Sequence, residues 1–341
     1  MAKKRIFSII EYLFFLALGI LLLWLSFRKL DLHEIWLDIQ EAEYSWLLIA
    51  LFFAILSHIL RALRWNLLIN ALGYKTRLST TFFAVMIGYL ANTAVPRMGE
   101  FVRCGVLSKK EKIPFNSLFG TVISERLFDL ISLFIIIFLV IVFQLDLVGN
   151  LLHQLFGPLL ETVFSNVWNI TFFISGTFVF FALLAWLIWK SRAWIQSFSF
   201  YKKLHSFVIG LWEGIISIGK MRQKGLFLVY TVAIWLMYGI MVYMPVLMLS
   251  ETRHLDFIDG LTILAIGSLG IVAPVPGGIG AYHFIVKAIL VELYHIEPNA
   301  AGSFAAITHA GQTLLNVIIG GLSYLGMGIL SRKQEPCNEE V

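Results

Sequence analysis

Two cysteines in 341 residues, Cys104 and Cys337, leave no material for a disulfide framework, and neither sits in a C-x-x-C or a Cys/His cluster that would hold a structural metal. Charge is also scarce. Only 14% of the residues are Asp, Glu, Lys or Arg while 59% are hydrophobic, and a mean hydropathy of +0.84 excludes an ordinary soluble domain. No G-x-x-x-x-G-K-[ST] loop is present, so any active transport would draw on an ion gradient or the membrane potential rather than on bound nucleotide. A serine nucleophile elbow, a zinc-type His/Glu cluster and an Asp-rich metal run are missing too. No cofactor and no metal are therefore expected.

What is there is long apolar sequence, and it predicts an all-α, polytopic helical integral membrane protein. The formal charge of +5 reflects basic residues gathered in loops, which insertion bias and anionic lipid explain, so no nucleic acid is expected as a partner. Met1-Ala2-Lys3-Lys4-Arg5 resembles a signal-peptide n-region, but the apolar run after it lacks a small-x-small cleavage site and reads as a retained anchor helix. With the amino terminus in the cytoplasm, crossings are placed at Ile6 to Phe27, Tyr44 to Asn70, Leu118 to Phe143, Val167 to Trp189, Gly225 to Ser250 and Gly302 to Leu330. Both termini then lie in the cytoplasm, and most of the 26 Lys and Arg fall on that side of a cytoplasmic (inner) membrane. Arg28, Lys29 and Arg253 lie outside, and Arg61, Arg64, Arg97, Arg126 and Lys287 fall in membrane segments. Leu147 to Phe164 and Ser191 to Lys224 carry apolar stripes that suit interfacial segments on the outer and cytoplasmic faces.

Proline occupies eight positions, and Pro96 in one place and Pro274 with Pro276 in another mark two breaks in apolar sequence. The first is Ala94-Val95-Pro96-Arg97-Met98-Gly99-Glu100 and the second Ala273-Pro274-Val275-Pro276-Gly277-Gly278-Ile279-Gly280. Similar lead-ins precede them, Ile87-Gly88-Tyr89-Leu90 and Ile266-Gly267-Ser268-Leu269. Proline removes a backbone donor and glycine opens the backbone, so in hydrocarbon such breaks survive only where protein or water covers them. Paired breaks in corresponding halves point to a transporter's binding site. The chain then divides into an anchor helix with an outer loop (1–43), repeat 1 (44–143, broken hairpin 79–112), a connecting region with one crossing and interfacial helices (144–224), repeat 2 (225–330, broken hairpin 257–296) and a tail (331–341). The crossing before each hairpin ends on opposite faces, so the two helix/broken-hairpin/helix repeats are inverted. Their tips are expected to face each other across a shared cavity.

Ionisable groups at membrane depth are costly and gather around the first break. Arg97 at the turn suits a phosphate, because its planar fork is joined by free backbone donors; alternatively Arg97 and Glu100 hold the turn as an internal pair, with Arg103 on the returning arm. Glu125 and Asp129, four apart on one face with Arg126 between them, read either as a proton relay or headgroup counter-charge, or as an ion-paired cytoplasmic helix start. Arg61 and Arg64 share a face, and snorkelling to the interface beside Trp65 is the favoured reading. Asn92 either donates into the cavity or satisfies freed carbonyls. In the second half His309, Gln312 and Asn316 form a polar stripe, as ligand or as interhelical glue. His283, beside Tyr282 and just past the second turn, either lines the pocket or packs.

Arg61-x-x-Arg64-Trp65, Pro96-x-x-Gly99-Glu100-x-x-Arg103, Gly120-Thr121-Val122 through Glu125-Arg126-x-x-Asp129, and Pro276-Gly277-Gly278-Ile279-Gly280 together resemble the lysylphosphatidylglycerol synthase transmembrane family, also described as flippase-like. The resemblance covers nearly the whole chain. It implies a membrane domain that moves lipids between leaflets. The synthases carry a soluble aminoacyl-transferase domain after that region, whereas this chain ends at Val341, so synthesis of lysylphosphatidylglycerol is not expected here. His283 stands where the family commonly has Glu, which bears on headgroup choice or pH dependence.

The expected activity is thus that of a lipid transporter or flippase for an anionic or phosphate-containing lipid. A membrane enzyme acting on a phosphorylated or polyprenyl lipid, with Glu125, Asp129 or His309 as acid or base, and an accessory subunit are the alternatives. Oligomeric state is not legible.

Overall fold

The structure is a computed structural model that describes residues 2–145, 221–270 and 275–332, with isolated positions 147, 149, 171, 175, 179, 183 and 186. The expected crossing from Val167 to Trp189, the interfacial segments Leu147 to Phe164 and Ser191 to Lys224, the Ala273-Pro274 half of the second break, and the tail with Cys337 lie wholly or largely outside the described residues. Ten α-helices are described: α1 (Ala2–Phe27), α2 (Leu32–Glu41), α3 (Tyr44–Ala71), α4 (Leu78–Ala94), α5 (Gly99–Glu111), α6 (Phe115–Phe143), α7 (Lys224–Val246), α8 (Phe257–Gly270), α9 (Ala281–Glu292) and α10 (Pro298–Arg332). One compact unit comprises 1–140 with 217–341 and a second comprises 141–216. In the second, the described positions other than Gln144 are helical, with Ser175 Oγ donating to Thr171 O at 2.6 Å.

Four helices, α3, α6, α7 and α10, are apolar and long enough to cross a membrane. With 23 residues or more in each, at about 1.5 Å rise per residue, each clears roughly 30 Å of hydrocarbon. Their outward faces confirm the assignment. Phe134, Ile135 and Phe138 on α6 and Leu322, Leu325 and Ile329 on α10 are exposed, an arrangement that lipid tolerates and water does not. The sequence-based bounds shift where proline acts. Pro298 opens α10 one turn before the expected start, because its missing N–H falls among the helix's unpaired donors. Pro245 lies in the last turn of α7, which stops at Val246 and not at Ser250.

α1 turns into α2 with a bend of 88° at Arg28 to Asp31, and Asp31 caps α2 by accepting from His33 N at 2.8 Å. Beyond it the chain alternates a long helix with a pair of short ones. In the first half α3 is followed by α4 and α5, then α6; in the second α7 is followed by α8 and α9, then α10. α3 packs on α7 and α4 on α10, so each half is threaded into the other. Leu47, Val246, Leu290 and Phe304 anchor one core, Trp65, Leu107, Leu118 and Phe227 a second, and Ile136, Val140 and Ala265 a small third.

Both breaks have local causes. Val95 is extended (φ −131°, ψ 122°), as the residue before a proline prefers, and α4 ends there. Arg97 takes a left-handed φ of 60°, and α5 starts at Gly99. The two short helices approach through glycine: a Cβ on Gly99 would lie 2.5 Å from Gly88 O. At the second break Pro276–Gly278 form a 3-10 turn, with Gly277 at φ 60° and Gly280 at φ 82°. The backbone of Gly280 rests on α1 at Gly19.

Candidate functional site

A cavity of about 500 Å³ lies between the two broken segments, with Pro96 and Arg97 of the first and Gly277 and Gly278 of the second in its wall. Gly277 stands against Thr93 at the end of α4, so the two tips meet beside the cavity. The lining is two-sided. Leu47, Leu51, Val242, Ile263 and Phe304 give an apolar wall, and Arg61, Asn92, Arg97, Glu100 and Arg126 give a polar end. α10 adds His309, Gln312 and Asn316.

Behind the polar end is a buried ion cluster tying α3, α5 and α6 together. Arg61 Nε meets Glu125 Oε1 at 2.9 Å and its Nη2 meets Asp129 Oδ2 at 2.7 Å. Arg64 Nη2 reaches the same two carboxylates at 3.1 and 2.7 Å, and Arg103 Nη2 reaches Glu125 Oε2 at 3.1 Å. Arg126 pairs with Glu100 at 2.6 Å and lies 3.5 Å from Asp129. Arg61 also donates to Tyr89 Oη, and Arg64 to Thr231 Oγ1 at 3.3 Å. The Arg103 guanidinium lies over the Trp65 ring at 4.7 Å, and Trp65 Nε1 donates to Thr121 Oγ1 at 2.8 Å. Four guanidiniums thus face three carboxylates, and one positive charge is left at the cavity wall.

This geometry corrects four sequence readings. Arg61 and Arg64 do not snorkel: they are 5% and 0% exposed, because Glu125 and Asp129 offer charge partners inside the bundle, and Trp65 is fully buried with them. Glu125 is not part of an ion-paired helix start, since it lies well past the first turn of α6, beyond the reach of the helix dipole, and is 0% exposed. Glu100 takes Arg126 as its partner, across from α5 to α6. Asn92 serves a freed donor and not a freed carbonyl, for Gly99 N–H donates to Asn92 Oδ1 at 2.6 Å, satisfying one of the unpaired amides of α5.

Of the candidate residues, Arg61, Asn92, Arg97, Glu100, Arg126, His309 and Gln312 line the cavity, while Arg64, Arg103, Glu125 and Asp129 form the layer behind. His283 packs instead of lining it. Its ring is buried, 4.7 Å from that of His309, and its Nδ1 accepts from Gly280 N at 3.4 Å. His309 Nε2 meets Gly277 O at 3.0 Å, so the second tip is held by a side chain of α10. Sequence reasoning passed over Tyr89, which belongs to the lead-in of the first break and sits three residues before Asn92, spacing that puts both on one helical face. It also passed over His58, buried on α3 with its ring 4.5 Å from that of Tyr89 and no periodic pattern to mark it.

A cationic polar end joined to an apolar wall can hold an amphiphile with an anionic head. Known proteins similar to the chain include two named as membrane proteins. The chain is 23% identical to a UPF0104 membrane protein of Methanocaldococcus jannaschii, over 97% of this chain and 96% of that protein. It is 21% identical to a UPF0104 membrane protein of Pyrococcus horikoshii, over 84% of this chain and 88% of the relative. The glycosyltransferase AglD of Haloferax volcanii is 24% identical over 92% of this chain, which spans 54% of that longer protein. No solved structure matches the chain. The profile of the lysylphosphatidylglycerol synthase TM region matches residues 12–320, which takes in both breaks, the Arg61 to Asp129 cluster and the polar face of α10, and the chain belongs to that family.

Proposed function

We propose that this protein moves a phosphate-containing lipid between the leaflets of a cytoplasmic membrane in which both its termini face the cytoplasm. The observation that carries the reading is the two-sided cavity, cationic at Arg61, Arg97 and Arg126 and apolar at Leu51, Val242 and Phe304. A lipid phosphate would sit at Arg97, while its acyl chains follow the apolar wall. The helix, broken pair and helix of each half would act as inverted repeats, rocking about the Thr93 and Gly277 contact to expose the site to one leaflet and then the other. A charge-assisted hydrogen bond is worth about 1.5–3 kcal/mol, so Arg97→Ala is expected to slow lipid movement by roughly tenfold to hundredfold. A leaflet-resolved assay in vesicles holding the purified protein checks this. Equal movement with wild type, empty vesicles and Arg97→Ala would overturn it.

An enzyme acting on a phosphorylated or polyprenyl lipid is favoured by one observation, the name of the Haloferax volcanii relative. Against it, Glu125 and Asp129 are taken up by arginines behind the cavity, which leaves His309 as the acid or base with access to a ligand. Product formation from a lipid extract, lost in His309→Ala, would establish that reading.

A further inference from the structure

We infer that α2 is an interfacial helix: it lies along the headgroup/acyl boundary of one leaflet, with Leu32 and Trp36 dipped into lipid and Glu41 turned to water. Its placement does not depend on what the cavity carries.

The helices on either side set the level. α1 exposes Leu13, Phe14, Ile20 and Leu21 and α3 exposes Leu48, Ile49 and Phe52, large apolar side chains that lipid covers. Where α1 ends and α3 begins, Trp24 and Tyr44 are exposed, the residue types that gather where hydrocarbon gives way to water. The Arg28 guanidinium lies over the Trp24 ring at 5.1 Å, which puts a cation at the same level. α2 joins these two ends, so it sits at that depth. The 88° bend after α1 turns it across the direction of α1, along the membrane plane. Its 10 residues, at about 1.5 Å each, would cover about half of the hydrocarbon thickness, too little for a crossing.

α2 has three sides, and α10 takes the first. Ile35 is buried there, and a Cβ on Gly302 would lie 4.0 Å from its Cδ1. Asp38 accepts from Ser303 Oγ at 2.6 Å, Glu34 accepts from Asn299 Nδ2, and Asp31 N–H donates to Asn299 Oδ1 at 3.0 Å. Leu32 and Trp36, four apart, share the second side and are 69% and 57% exposed. Glu41 is nine positions from Leu32, about half a turn round the helix, and is exposed with Leu37 on the third side. The Leu32 and Trp36 edge continues the lipid-facing surface of α1 and α3. An apolar edge opposite a charged one, on a helix parallel to the membrane, fits the boundary and neither the hydrocarbon centre nor open water. α2 contains no Lys or Arg, so its partner is the apolar side of that boundary and not an anionic headgroup. Through Asn299 and Ser303 it fixes the first turns of α10 at this level, while His309 and Gln312 further along α10 reach the cavity.

Nitroxide labels on the purified full chain in phosphatidylcholine vesicles test this, read by power saturation with oxygen, which concentrates in hydrocarbon, against a nickel chelate, which stays in water. The labels go on Leu32→Cys, Trp36→Cys and Glu41→Cys in a Cys337→Ser background, with Cys104 kept because it is fully buried. Labels at 32 and 36 are expected to favour oxygen and to lie about 5–10 Å into the boundary, and the label at 41 to favour nickel. Replacing part of the phosphatidylcholine with phosphatidylglycerol should leave all three depths unchanged. Two positions on the apolar edge keep the result from resting on one variant.

Nickel access above oxygen access at both 32 and 36 would place the edge in water and overturn the inference. A label at 41 as deep as those at 32 and 36 would make α2 a submerged part of a broken span, which also overturns it. Low access of both reagents at 32 and 36 would mean that protein covers the edge, with spin–spin broadening identifying a second copy of the chain as the cover. Depths that increase with phosphatidylglycerol would replace the apolar boundary by anionic headgroups as the partner.

Discussion

Glu125→Leu is expected to destabilise the fold by about 3–5 kcal/mol, the range for removing one member of a buried ion pair. The carboxylate is 0% exposed and receives Arg61 at 2.9 Å, Arg64 at 3.1 Å and Arg103 at 3.1 Å, from two different helices. Its loss would leave four guanidiniums against Asp129 and Glu100 alone. Leucine restores volume and no charge. Because the cluster already carries one excess positive charge, Arg64→Leu should cost less than Glu125→Leu. The double variant should cost less than the sum of the two, since each removal eases the charge the other exposes. Thermal unfolding of the detergent-solubilised protein, followed by tryptophan fluorescence, reads all three. A Glu125→Leu protein as stable as wild type would show that the cluster does not hold α3, α5 and α6 together.

That cluster also shows where the sequence was legible and where it was not. Two arginines three apart on one helix, and two acids four apart on another, were each visible as a face. What linear spacing did not reveal was that the faces meet, because Arg61 and Glu125 are 64 positions apart and Arg61 and Asp129 are 68. Interface snorkelling was the local reading, and tertiary pairing displaced it. The matching spacings were the signal that could have joined them, since arginines and carboxylates on helices bound for the same membrane have few other partners. The four long helices, by contrast, were legible from apolar length alone, because lipid demands it of each helix separately. The breaks were readable from Pro96 and Pro276, whose effect on backbone is local. Their supports were not. Gly88 under Gly99 and Gly19 under Gly280 are close approaches between chain segments, and a glycine in a membrane helix carries no mark of what it faces.

The Gly280 contact yields the second large effect. Gly280→Ala is expected to cost about 2–6 kcal/mol, adding the strain of a side chain at φ 82° to the overpacking of a tight contact. The new Cβ would lie 2.0 Å from Gly19 O and 2.8 Å from Leu23 N, and both obstacles are backbone of α1, which cannot rotate aside as a side chain can. Relief therefore requires the turn to lift off α1 or α1 to retreat. Lys287, which donates to Ser26 O at 2.6 Å, ties α9 to α1 and resists the second course. Lifting the turn would in turn draw Gly277 away from Thr93 and from His309 Nε2, opening the cavity wall where the two breaks meet. Gly73→Ala is the matched comparison: its φ is 88°, yet a Cβ there meets nothing within 4 Å, so only the conformational cost of about 1–2 kcal/mol remains. Thermal unfolding of the two variants separates the close approach from the strain. If the protein moves lipid as proposed, that movement in vesicles should persist in Gly73→Ala and fall in Gly280→Ala even below its unfolding temperature, since the second tip would be drawn away from the first. If Gly280→Ala matches Gly73→Ala in both measurements, α1 is not what seats the second break.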